Sequence, residues 1–90
     1  MAGARVRRWY VVQEIGDIDF ALLVSAYSVK AVRREAIKHF SRFRITLAKT
    51  WEFVKVMSGN PVNVGYRDGV ASNRWSMASE FMCCDVVILS

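Results

Sequence analysis

The chain has a single histidine, His39, a single proline, Pro61, and two cysteines, Cys83 and Cys84, which are adjacent. A zinc site needs about four ligands, usually cysteine or histidine in spaced pairs, so this set is too small and too close. Adjacent cysteines bridge only under strain and frame no disulfide scaffold, which predicts free thiols and a reducing, cytoplasmic setting. Neither thiol has a local catalytic signature, and His39 sits between Lys38 and Phe40, where an exposed helical residue is expected rather than a general base. The five glycines are scattered, so no phosphate-cradling loop and no dinucleotide fingerprint is present. No apolar run approaches the ~20 residues of a membrane-spanning helix. The basic start M-A-G-A-R-V-R-R leads into no long apolar segment, so it does not read as a signal peptide. The expectation is a non-enzymatic chain with no cofactor, no metal and no membrane partner.

What is present is a hydrophobic fraction of 53% in 90 residues, enough for one folded domain with a modest core. Residues 1–5 read as a loose tail and 6–90 as one domain. The net charge of +5 disfavours a mimic of nucleic acid, which needs dense carboxylates. It permits nucleic acid, an acidic protein or an anionic surface as partner, and chooses none of them.

The stretch Ser28–Arg42 organises the reading. Ser28 is a fit N-cap, its hydroxyl able to accept from a free N–H of the first turn. Val29, Val32, Ala36 and Phe40, with Ile37 beside them, recur on a 3.6-residue period and predict a buried stripe. Lys30, Arg34 and Lys38 recur every four residues on another face, with Arg33 at their edge and Glu35 as the one offsetting charge. At that spacing the cations repel one another. Such a face either keeps the domain soluble or docks on phosphate or an acidic protein patch.

Around this helix the chain alternates. Val6–Ile15 is rich in β-branched and aromatic residues, and Gly16-Asp17 offers a two-residue hairpin turn into a strand from Ile18 to Ala26. Ile18, Phe20, Leu22, Val24 and Ala26 form the expected core face of that strand. Phe43 to Met57 predicts one long strand, with a bulge at Lys49. A continuation of the helix to Met57 is the competing reading, because Phe43, Leu47, Trp51 and Val54 extend its stripe. Ser58-Gly59-Asn60-Pro61 ends that element, and Val62 to Met77 reads as a second hairpin turning at Asp68-Gly69. Ala78–Met82 suits a helical turn, and Cys83–Leu89 a buried strand. The expected fold is α+β: an antiparallel sheet of about four to six strands with one main amphipathic helix, β-β-α-β-β-β, burying Phe20, Leu22, Val32, Phe40 and Trp51 together.

Two candidate surfaces follow. One is the helical face of Lys30, Arg33, Arg34 and Lys38, suited to a protein partner. The other is the arginines that interleave with aromatic residues, Arg7, Arg8, Arg42, Arg44, Arg67 and Arg74. Next to rings that stack bases, these would bind phosphates in a small nucleic-acid-binding module. The competing structural reading puts the rings between sheet and helix and the arginines in water. Exposed edge strands also permit a homodimer.

The order of a strand, a second strand ending in Val24-Ser25-Ala26-Tyr27-Ser28, a helix with Ala31 and Ala36, and then the Phe43–Met57 run resembles small phage anti-CRISPR proteins over about residues 9–57. The resemblance implies a phage-encoded inhibitor in the host cytoplasm. Such an inhibitor docks, without catalysis, on a CRISPR effector complex and blocks DNA binding or nuclease recruitment. It carries no individual residue across.

Overall fold

The computed structural model describes residues 6–17, 20–48, 53–57, 60–64, 75–77 and 83–89. The elements in chain order are β1 (Arg8–Glu14), β2 (Phe20–Ala26), α1 (Val29–Ala36), β3 (Phe43–Leu47), β4 (Phe53–Met57), β5 (Asn60–Val64), β6 (Trp75–Met77) and β7 (Cys83–Ile88). The fold is α+β, with one helix against a mixed sheet of order β3-β1-β2-β7-β6-β4-β5.

The β-β-α opening follows from local signals. β1 pairs antiparallel with β2, Gln13 opposite Ala21 and Arg8 opposite Ala26. Their connection is longer than the expected two-residue turn. The Asp17 N–H donates to the Glu14 carbonyl at 3.2 Å, which makes a tight turn of Glu14–Asp17 with Gly16 third at φ 96°. A third-position residue with positive φ is what glycine supplies. The expected strand start at Ile18 and Asp19 lies outside the described residues.

Ser28 caps α1 as expected, accepting from the Ala31 N–H at 3.2 Å. The helix stops at Ala36, short of the predicted Arg42. The Lys38 and His39 N–H groups turn back to the carbonyls of Glu35 and Ala36, tightening the last turn, and Phe40 swings inward to meet Phe20 edge-on at 6.0 Å. Continuing the helix would have removed Phe43–Leu47 from β1, whose outer edge they pair. The β-branched and aromatic residues in that segment favour the strand.

The single long strand over 43–57 is corrected to two strands in different parts of the sheet. The Ala48 N–H donates to the Trp9 carbonyl at 2.9 Å. One residue earlier, at Arg8, β1 itself begins, so the ladder has little left to pair with. Lys49 and Trp51, the expected bulge and core residue, lie outside the described residues. The chain reappears at Phe53, fully buried in β4.

This short link constrains the sheet. β3 and β4 are five positions apart in the strand order. At roughly 4.8 Å per strand a flat sheet would separate them by about 24 Å. The chain from Ala48 to Phe53 reaches at most about 18 Å. The sheet must therefore coil, bringing β4 back toward β1 and β2. Phe53 accordingly shares one buried cluster with Val11, Ala21, Leu23, Ala48 and Cys84, with Trp9 and Val86 packed beside it.

Both faces of the central strands are thus buried, where one was expected. The face toward α1 buries Tyr10, Val12, Leu22, Val24, Ala26, Val32 and Ala36, flanked by Phe20, Phe40, Phe43, Ile45 and Leu47. The opposite face holds the Phe53 cluster. The run A-L-L-V-S-A in β2, buried at every position, is the pattern of a strand covered on both sides.

The sheet is mixed rather than antiparallel, because β7 runs parallel to β2, Phe20 opposite Cys83 and Ser25 opposite Ile88. Among the described residues five strands follow the helix, where three or four were expected. The second hairpin is also redrawn: β5 and β6 flank β4 on opposite sides and do not pair with each other. Pro61 lies within β5, an edge strand, where a missing N–H is tolerated. Asp68-Gly69 and Ala78–Met82 lie outside the described residues.

Candidate functional site

The outer side of α1 is built from two parallel rows. In a helix, residues four apart stack along one line. Val29, Arg33 and Ile37 make one row, and Lys30, Arg34 and Lys38 the next, with Ile37 and Lys38 just past the last helical residue. All six are exposed. The stripe predicted to be buried is therefore narrower than expected. Val32 and Ala36 are fully buried and Phe40 half-buried, while Val29 is 44% and Ile37 63% exposed. Sequence periodicity misses this because Val29 and Ile37 lie at the margin of the stripe. Their side was decided by how the helix rolls on the sheet.

The electrostatics of the face are unbalanced. Glu35, the one carboxylate of α1, is turned toward the end of the helix. It accepts from Lys38 Nζ at 3.3 Å and meets His39 Nε2 at 3.1 Å. The hydrogen bond from His39 is the main cause holding the Glu35 carboxyl below its ordinary range, with Lys38 adding to it and partial burial opposing. Glu35 is thereby engaged away from Lys30, Arg33 and Arg34. None of these three has a side-chain partner among the described residues. What remains is a line of three exposed cations without a side-chain partner among the described residues, Arg33 and Arg34 one turn before the exposed Ile37 and Lys30 one turn further back.

The four described members of the second candidate set, Arg7, Arg8, Arg42 and Arg44, are not all on one surface. The Arg7 guanidinium turns into the protein: Nη1 donates to the Ser25 carbonyl at 3.1 Å, to Ser25 Oγ at 3.2 Å and to the Leu89 carbonyl. The same group lies 4.4 Å from the centre of the Tyr27 ring. Arg7 thus ties the chain leading into β1 to the ends of β2 and β7. Arg8, Arg42 and Arg44 are exposed. Alternation along the strands puts Arg8 on the α1 side of the sheet and Arg44 on the other, opposite Gln13. Arg67 and Arg74 lie outside the described residues. Of the neighbouring rings, Tyr10 is buried, and Trp9 and Phe43 are half-buried against the two cores.

Cys84 is fully buried in the Phe53 cluster and Cys83 is half-buried; both are free thiols. As neighbours in β7 they point to opposite faces of the sheet. Among the described residues no group of three histidine, cysteine or acidic side chains is placed to hold a metal ion. No helix among them is long and apolar enough to cross a membrane. No protein family, no curated protein and no solved structure matches the chain.

Proposed function

We propose that this protein is a non-enzymatic binding module that docks through the outer face of α1 on an acidic protein surface. The observation that carries the reading is the exposed Ile37 on the same side of the helix as the exposed cations Lys30, Arg33 and Arg34, none of which has a side-chain partner among the described residues. An exposed apolar side chain one turn from two like charges adds nothing to this fold. Against a partner it supplies a small desolvated centre inside a charged rim, the usual layout of a protein interface. Cations at the rim steer the encounter and select against basic surfaces. The partner class we propose, on the resemblance to phage anti-CRISPR proteins, is a subunit of a CRISPR effector complex, bound so as to block DNA binding or nuclease recruitment in the host cytoplasm.

The test is a plasmid-interference assay in a host with an active CRISPR system, paired with capture of the effector complex on the immobilised protein. The wild-type chain should relieve interference and retain the complex. Lys30→Glu/Arg33→Glu/Arg34→Glu should fold and do neither. Retention of the complex by the folded triple variant would refute docking through α1.

Direct nucleic-acid binding is the weaker reading. Arg8 and Arg44 lie on opposite sides of the sheet, Arg7 is bound internally, and the rings beside these arginines, Trp9, Tyr10 and Phe43, pack inward. It predicts complexes that weaken steeply with salt. A gel-shift titration at low salt that shows no complex would dispose of it.

A further inference from the structure

Among the described residues the sheet ends at β3. This strand is terminal in the sheet order and pairs on one side with β1. The hydrogen-bond phase shows which of its groups are left over. The Ile15 N–H donates to the Arg42 carbonyl and the Ala48 N–H to the Trp9 carbonyl, each at 2.9 Å. Both pairs share the register that sets Tyr10 opposite Leu47. Hydrogen-bonded and non-bonded pairs alternate in an antiparallel ladder. Arg42, Arg44, Thr46 and Ala48 therefore direct their N–H and C=O groups at β1, and Phe43, Ile45 and Leu47 direct theirs outward. No other strand among the described residues takes them up.

The apolar layer stops short at the same place. On the α1 side of the sheet, Tyr10, Val12, Leu22 and Val24 in β1 and β2 are buried, whereas Phe43, Ile45 and Leu47 are all half-buried. One further strand would satisfy the amides and carbonyls and cover the rest of these side chains. On the other side of β3 the exposed Arg44, with Arg42 just before the strand, sets the sign of what fits there. A second copy of this chain would bring its own Arg44 to the same margin and add another net charge of +5. Like charges across a pair of strands are destabilising.

We infer that the β3 edge is a binding site for an extended acidic segment of a partner protein, added as an eighth strand beside the seven. Alternate residues of the segment are apolar, resting beside Phe43, Ile45 and Leu47. The intervening ones are acidic, facing Arg42 and Arg44. Main-chain hydrogen bonds supply affinity and the alternating side chains supply selectivity, as in other cases of strand addition. The site is separate from the outer face of α1 and does not depend on it.

Amide hydrogen exchange, resolved by residue, tests this with synthetic seven-residue peptides of alternating valine and glutamate, or of alternating valine and lysine. In the protein alone the Phe43, Ile45 and Leu47 amides should exchange fast and those of Arg44 and Thr46 slowly. Millimolar valine–glutamate peptide should slow the three outward amides by about tenfold or more, and the lysine peptide should not. Ile45→Pro deletes only an outward N–H at an edge position, so it should fold and abolish that protection. Thr46→Pro deletes an inward N–H and should destabilise the sheet. If Ile45→Pro fails to fold, Arg44→Glu serves in its place and should lose protection by the glutamate peptide. The proposal is overturned if the outward amides stay fast with saturating glutamate peptide. It is also overturned if both peptides protect equally. Outward amides that are slow in the protein alone, and become slower as its concentration rises, would overturn it in favour of a second copy.

Discussion

Replacing Phe53 by alanine tests the coiling of the sheet, on which the rest of the architecture depends. Phe53 is fully buried in one cluster with Val11, Leu23 and Cys84 of three other strands. In a flat sheet β4 would lie beyond reach of β1, and Phe53 would have only its own strand neighbours. The two geometries predict different losses. A fully buried phenylalanine cut to alanine costs about 3–5 kcal/mol, part from lost transfer energy and part from the cavity left behind. A phenylalanine on an open face would cost nearer 0.5 kcal/mol. A chain of this size is stable by roughly 5–13 kcal/mol, so the first figure is a large share of the total. With a urea dependence of about 1.5 kcal/mol per molar, the midpoint should fall by some 2–3 M. Equilibrium urea unfolding, followed by far-ultraviolet circular dichroism, reads this directly. Phe53→Leu should recover more than half of the loss by refilling most of the volume. A midpoint for Phe53→Ala within about 0.5 M of wild type would refute the coiled arrangement.

Two further outcomes follow from the described contacts. Arg7→Met strips partners from the partly buried Ser25 and Leu89 acceptors and should cost about 2–3 kcal/mol in urea unfolding, whereas Arg8→Met, on an exposed side chain, should cost under about 0.5 kcal/mol. Equal costs would remove Arg7 as the tie between β1, β2 and β7. The Glu35 carboxyl is held below its ordinary value of 4.5, chiefly by His39 and then by Lys38. A depressed carboxyl contributes stability that is fully present above the unfolded value and is lost as pH falls through the folded one. Thermal midpoints measured down to about pH 3 should therefore fall less steeply for Glu35→Gln than for wild type below that value, and parallel curves would count against the contact.

The two proposed surfaces lie on neighbouring elements. The outer face of α1 offers exposed cations beside an isoleucine. The β3 edge offers main-chain groups and a half-covered apolar row. The link between them is Phe40–Phe43, which carries the chain from the last turn of the helix into the edge strand. Helix and edge strand also share the cluster of Val32, Ala36, Phe43 and Ile45. A partner engaging both would meet neighbouring elements, and its affinity would exceed what either supplies alone.

The residues themselves determined whatever short-range physics controls. Ser28 starts the helix because a hydroxyl at that place satisfies an N–H three residues on. The continuous apolar, β-branched-rich runs around Tyr10–Val12 and Leu22–Val24 make β1 and β2 strands, and the short connection between them makes them neighbours. Cys83–Ile88 is a strand because it is short, apolar and β-branched. The α+β class follows from these three. Only the tertiary structure decided the rest, and for one reason: each remaining choice turned on an edge or a face supplied by residues far away in the chain. Helix and strand periods both fit 43–57, and the open side of β1 selected a strand, then ended it where β1 itself begins. β7 pairs beside β2 because β1 takes only one side of β2. Val29 and Ile37 face outward because the helix meets the sheet through Val32 and Ala36, with Ala31 and Phe40 beside them. Arg7 turned inward for the same reason, since Ser25 and Leu89 presented partly buried acceptors that no reading of neighbouring residues reveals.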